Sequence, residues 1–82
     1  MVEEPRDFSM TYSRVASVKR LANSRNGNPR VEVTLTSGLK ARTAADEGWV
    51  YGVNWESLVG KAVSMSYRRP RKNRFIISIE EL

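Results

Sequence analysis

The chain contains neither cysteine nor histidine. Without cysteine it has no disulfide, no thiolate metal site and no thiol nucleophile. Without histidine it lacks the commonest general base and the commonest metal ligand. No apolar run approaches the roughly 20 residues of a membrane-spanning helix, and the opening residues MVEEPRDFS do not resemble a signal peptide. These absences predict a cytoplasmic protein that is not an enzyme, with no metal, no cofactor and no membrane partner.

Positive charge is the most informative feature of the composition. The 82 residues include 14 lysines and arginines against 9 acidic residues, a net charge of +5. Because acidic residues concentrate at both ends, residues 8–79 hold 13 basic and only 4 acidic side chains, a net charge of +9. Such an excess is typical of proteins that bind a polyanion such as nucleic acid, although it also promotes solubility without any partner.

Alternating apolar and polar residues predict five β-strands. These strands are expected at residues 12–21, 30–36, 39–43, 61–68 and 74–80. The uneven spacing of apolar residues in the first strand indicates a bulge or a bend. On the last four strands alternation predicts these inward side chains: Val31, Val33, Leu35, Leu39, Ala41, Thr43, Val63, Met65, Tyr67, Phe75, Ile77 and Ile79.

The connections carry turn and helix signals. Asn26-Gly27 and Ser37-Gly38 predict tight turns. Ala45, Trp49 and Val53 recur at helical spacing, which predicts a short helix at 45–52 and places Trp49 in the core against Val33, Leu35 and Ile77. A second turn is expected at 55–59, with Asn54 as its cap.

The order of these elements predicts a mainly β fold. Five short strands with a helical insert between strands three and four are typical of a small OB-like barrel. An SH3-like barrel is the alternative, but its short turn would lie between strands four and five. We therefore expect one OB-like barrel domain at residues 11–82, preceded by a flexible acidic tail at residues 1–10.

Basic side chains concentrate in two of the predicted loops. In an OB-like barrel these two loops border one groove, so they predict a site for nucleic acid, single-stranded or bound without sequence specificity. The alternative is that the charge only keeps an exposed hairpin soluble and protects a strand edge. The candidate binding residues are Arg20, Arg25 and Arg30 around the first loop, and Arg68, Arg69, Arg71, Lys72 and Arg74 in the second.

Two aromatic residues are candidates for stacking on bases or for contact with a protein partner. Tyr51 lies off the apolar stripe of the predicted helix, and Trp55 opens the second turn, where it either covers the end of the barrel or protrudes. The acidic pair Asp46-Glu47 is explained by the dipole of the predicted helix. No pair of carboxylates and no activated nucleophile has a spacing that indicates catalysis.

One stretch of the chain carries a family resemblance. The string Asn23-Ser24, then Gly27-Asn28-Pro29-Arg30, followed by Arg42-Thr43-Ala44 through Asp46, resembles a motif of small uncharacterised proteins from bacteriophages of actinobacteria such as mycobacteria. The likeness covers about residues 20–63, whereas the arginine hairpin at 68–74 and the tail at 1–9 depart from it. The resemblance implies a phage protein of the host cytoplasm that handles nucleic acid or, as the alternative, binds and modulates a host protein.

Overall fold

Five β-strands and two short 3-10 turns form the fold. In the computed structural model of the protein, which describes residues 8–82, the strands are β1 (Phe8–Leu21), β2 (Arg30–Leu35), β3 (Lys40–Thr43), β4 (Ala62–Arg68) and β5 (Phe75–Glu81). The turns, Gly48–Gly52 and Trp55–Leu58, lie between β3 and β4. The mainly β prediction with a short insert after the third strand is therefore confirmed. Among residues 8–82, no helix has the length and apolar character needed to cross a membrane.

The first strand begins earlier than the sequence predicts. Residues 8–10, assigned above to the tail, belong to β1, where Phe8 lies opposite Arg68 and Ser9 opposite Tyr67. Alternation is poor at this end, so the pairing with β4 defines the strand and the local pattern does not. The rest of the predicted tail, residues 1–7, lies outside the described residues.

The sheet closes on itself in a ring because β1 pairs on both sides. Its first half is antiparallel to β4, its second half is antiparallel to β2, and a bulge between Val15 and Ser17 marks the change of partner. This confirms the irregularity predicted in the first strand. The strand order around the ring is β1-β2-β3-β5-β4, with β3 and β5 parallel. The sheet is therefore mixed.

The core follows the predicted alternation best in β2. Val31, Val33 and Leu35 are buried there, while the residues between them are half-buried. The turn after β2 forms as expected, with Gly38 at φ +97° and its N–H donating to the Leu35 carbonyl at 2.9 Å. The remaining buried apolar residues come from every other strand and from both turns: Val15, Ala41, Val50, Trp55, Leu58, Val63, Met65 and Ile76.

The predicted helix at 45–52 is wrong, because this segment forms only a 3-10 turn. Two glycines within it each disfavour an α-helix by about 1 kcal/mol. The helical stripe fails with it: Ala45 is exposed and Trp49 is partly buried, whereas Val50 and Trp55 are buried. The main core tryptophan is therefore Trp55. Asn54 does precede the second turn, but its backbone carbonyl, not its side chain, accepts hydrogen bonds there.

The inward face of β5 is also not the predicted one. Ser66 pairs with Ser78, but Tyr67 pairs with Ile76, so Ile77 is an extra residue at a bulge. Ile76 consequently points into the core at 2% exposure, while Ile77 is 39% exposed. Ile79 packs against the core as predicted. The bulge shifts the alternation by one residue, which turns Phe75 to the outer face.

Candidate polyanion-binding surface

The hairpin between β4 and β5 gathers most of the predicted binding residues. Four of its cations are exposed, and Arg74 is half-buried. The guanidinium of Arg69 donates through Nε to the Lys72 carbonyl at 3.4 Å, which bridges the loop. The ion pairs among residues 8–82 involve none of the five hairpin cations. Their positive charge is therefore concentrated and is not neutralised by any described carboxylate.

Arg74 fixes the base of this hairpin. Its guanidinium carbon lies 6.0 Å from the centre of the Tyr67 ring, within the range of a cation–π contact. Its backbone carbonyl accepts the N–H of Arg42 in β3 at 2.9 Å. Arg74 therefore makes more contacts with the rest of the fold than the exposed cations around it do. These contacts fix the base of the hairpin beside β3.

The strand register adds basic residues that the sequence analysis did not select. Arg68 of β4 lies opposite Phe75 of β5, and Phe75 lies beside Arg42 of β3. Arg42 in turn lies opposite Glu32 of β2, and Glu32 lies opposite Lys19 of β1. Paired residues present their side chains on the same face of a sheet, so these five form one outer row across the ring. Arg42 is bridged to Glu32 at 3.3 Å. Alternation along β3 was enough to predict that Arg42 faces outward. Its neighbours on the adjacent strands are identified only by the strand register of the structure.

The asparagine-rich loop between β1 and β2 is tied to Asp46. The Asp46 carboxylate accepts hydrogen bonds from Ser24 Oγ at 2.7 Å, from Asn26 Nδ2 at 2.9 Å and from Asn28 Nδ2. These bonds, that of Ser24 first, then those of Asn28 and Asn26, hold the pKa of Asp46 below its usual value. Asp46 therefore fixes a loop and does not complement the dipole of an α-helix, since the segment that follows it forms only a short 3-10 turn. The Tyr51 hydroxyl donates to the Asn28 side chain and extends this cluster.

The cations of this first loop are less concentrated than those of the hairpin. Arg20 and Arg25 are exposed, and Arg20 Nη2 donates to the side chain of Asn23. Arg30 is half-buried, and its Nε is buried without a hydrogen-bond partner among the described residues. Arg30 is two residues from Glu32 and shares its outer face, whereas Arg20 lies on the opposite side of β1 from Lys19. The three cations therefore do not form a single cluster.

Both loops attach to the same short stretch of chain, residues 42–46. The hairpin is bonded to Arg42 through the Arg74 carbonyl, and the asparagine-rich loop is bonded to Asp46 four residues later. Thr43 between them is fully buried, and its hydroxyl accepts the N–H of Val31 at 3.1 Å. The end of β3 therefore fixes the position of both basic loops.

The two candidate aromatic residues have different environments. Tyr51 is 59% exposed, so its ring is accessible although its hydroxyl is engaged with Asn28. Trp55 is only 8% exposed, and its indole N–H donates to the Val50 carbonyl at 3.2 Å. Of the two positions that the sequence left open, Trp55 covers the core and does not protrude. It is not accessible for stacking or for a partner.

No protein-family model matches the chain, and comparisons with curated proteins and with solved structures find no significant similarity.

Proposed function

We propose that this chain is a bacteriophage accessory protein that binds nucleic acid through the basic loops of a small OB-like barrel and has no catalytic activity. The observation that carries the proposal is the exposed hairpin at 68–74, whose five cations have no ion-pair partner among the described residues. Arginine dominates this set, and its planar guanidinium suits phosphate oxygens and also stacks on bases.

The strand arrangement supports the OB-like barrel over the SH3-like alternative. Its ring order is β1-β2-β3-β5-β4, with the 3-10 turns between β3 and β4. An SH3-like barrel would have its short turn between strands four and five, where this chain has the basic hairpin. In OB-folds the β1–β2 and β4–β5 loops flank the binding face for oligonucleotides. The attachment of both loops to residues 42–46 supports the same placement here.

The distribution of charge along β5 also favours a directed polyanion contact over general solubility. The basic hairpin lies at the start of this strand, while Glu80 and Glu81 lie near its end, where Glu81 pairs with Lys61 at 3.7 Å. Glu80 lies six positions after Arg74, which corresponds to roughly 20 Å of extended chain. The Debye length at physiological ionic strength is about 8 Å. The negative charges of Glu80 and Glu81 therefore reduce the positive electrostatic potential at the hairpin very little.

The salt dependence of binding tests the proposal. Replacing Arg69, Arg71 and Lys72 by alanine should flatten the slope of log K against log salt by roughly 2–3 units, because each phosphate contact contributes about 0.7–0.9. The control variant replaces the exposed cations Arg14 and Lys61, which lie away from the hairpin, and should leave the slope nearly unchanged. Titrations should cover single- and double-stranded DNA and RNA. Failure of the unmodified protein to bind any of them at ~50 mM salt would exclude the proposal.

A second candidate function is that of a protein-interaction module that binds and modulates a host protein. It is favoured by an exposed apolar pair on β1, where Met10 is 56% and Tyr12 is 67% exposed and the Tyr12 hydroxyl donates to the Met10 sulfur at 3.3 Å. The register places this pair opposite Ser66 and Ser64 of β4, so its direct cross-strand neighbours are small, uncharged side chains. Capture of a host protein from nuclease-treated lysate that Tyr12→Ser abolishes, without change in nucleic-acid binding, would favour this candidate.

A further inference from the structure

Phe75 occupies an unusual position for a large apolar side chain. It is the first residue of β5, it is half-buried, and it is not among the residues packed against the core. The bulge at Ile77 directs it to the outer face, between Arg68 on β4 and Arg42 on β3. An aromatic ring flanked by two arginines on an outer face contributes little to the core and is available for contact with a ligand.

The hairpin encloses a concave surface beside this ring. Pro70, Arg71, Lys72, Asn73 and Phe75 line a concavity of about 500 Å³. Volumes of about 300–1,000 Å³ are typical of sites for small molecules. Its lining combines the faces of a proline and a phenylalanine with two cations and one side-chain amide, which has both donor and acceptor groups.

We propose that this concavity binds one unstacked nucleobase, with Phe75 as its stacking surface and the hairpin cations on the flanking phosphates. The inference deepens the proposed function and rests on it. Exposed aromatic rings beside a positively charged groove are the features with which proteins hold single strands. In a duplex the base faces are stacked and paired, so a base has to leave the helix before it reaches such a concavity. The protein therefore prefers single-stranded to double-stranded nucleic acid.

The inference is tested with three probes of equal length: an oligothymidylate, a duplex, and an abasic oligomer that retains the phosphates but has no bases. Phe75→Leu keeps an apolar side chain of similar reach and removes the aromatic face. It should weaken binding of the oligothymidylate by about tenfold, in line with the stacking contribution of one base. Binding of the duplex and of the abasic oligomer should not change. Leu82→Ala is the control, because it removes an exposed apolar side chain away from the hairpin, and it should leave all three affinities unchanged.

A second variant keeps the test decisive if Phe75→Leu does not fold. Phe75→Trp adds a fluorophore to a chain whose own tryptophans are buried or half-buried, and its emission should be quenched by the oligothymidylate but not by the abasic oligomer. Equal affinity of the unmodified protein for all three probes, or absence of that quenching, would overturn the inference while polyanion binding stands. Absence of binding to every probe would instead overturn the proposed function itself.

Discussion

Replacing each of the two tryptophans by alanine tests which of them lies in the core. Trp55 is 8% exposed and donates its indole N–H to the Val50 carbonyl at 3.2 Å. The Trp49 ring lies 5.8 Å away, but it is only partly buried, and its N–H donates to the Glu47 carboxylate at 3.3 Å. Each is replaced by alanine, and the two losses of unfolding free energy are compared.

The expected losses differ because the burial differs. Trp55→Ala opens a cavity in a closed core and should cost about 3–5 kcal/mol. Trp49→Ala exchanges a half-solvated ring for water and should cost about 1–2 kcal/mol. A domain of 82 residues has a total stability of about 4–12 kcal/mol. At the lower end of this range the Trp55 variant is close to unfolding, whereas the Trp49 variant remains folded.

A third variant separates packing from hydrogen bonding. Trp55→Phe keeps most of the ring volume and loses the indole donor. The Val50 carbonyl still accepts the N–H of Val53 at 3.4 Å, so it is not left without a partner. The expected cost is therefore about 1–2 kcal/mol, well below that of Trp55→Ala.

The assay is urea denaturation followed by far-UV circular dichroism, because each alanine variant removes one of the two indole fluorophores. Slopes against denaturant should agree among the variants, which verifies that the compared midpoints report stability. If Trp49→Ala costs as much as Trp55→Ala, or more, the placement of Trp55 as the main core tryptophan is refuted.

Two further predictions concern acid and the N-terminal residues. The lowered pKa of Asp46 means that its charged form contributes stability that is complete above the unfolded-state value, about 3.9, and is lost as pH falls through the lower folded-state value. Asp46→Asn, which tolerates the same φ of +62°, should therefore show a shallower acid dependence of its unfolding midpoint, and parallel acid profiles would contradict this. A variant that begins at Phe8 removes Glu3, Glu4 and Asp7, which lie outside the described residues, and should bind polyanions a few-fold tighter at low salt, with the gain vanishing near 0.5 M. Equal affinities at ~20–50 mM salt would exclude that competition.

The strands were predictable where one face is buried and the other is polar. β2 shows this most clearly, because Val31, Val33 and Leu35 are separated by charged or hydroxyl residues and only one register buries them. In β5 the consecutive residues Phe75, Ile76 and Ile77 are all apolar, so the sequence pattern does not determine which of them face the core. The bulge that decides between them depends on pairing with β4, which lies earlier in the chain. Local alternation contains no signal for it.

The candidate site also has a part that was predictable from the sequence and a part that was not. The basic hairpin was predictable because its cations are close in sequence and a turn has to expose them. The hydrogen bonds to Asp46 were not predictable, because its donors Ser24, Asn26 and Asn28 lie 18–22 residues away. One signal was present: these three donors alternate along one loop. Their common acceptor is identified only once the fold brings Asp46 to that loop.

These hydrogen bonds also change what the family resemblance means. Two residues of its most specific string have structural roles, since Ser24 and Asn28 donate hydrogen bonds to Asp46. Thr43, in the more generic part of the likeness, accepts the N–H of Val31. Asp46 is the one non-glycine residue with positive φ among those described, which such side-chain bonds help to stabilise. A chain that shares this string would therefore share the loop conformation, whatever it binds. The exposed hairpin cations and Phe75 lie outside the resembling stretch, so ligand preference is expected to follow the β4–β5 hairpin and not the shared motif.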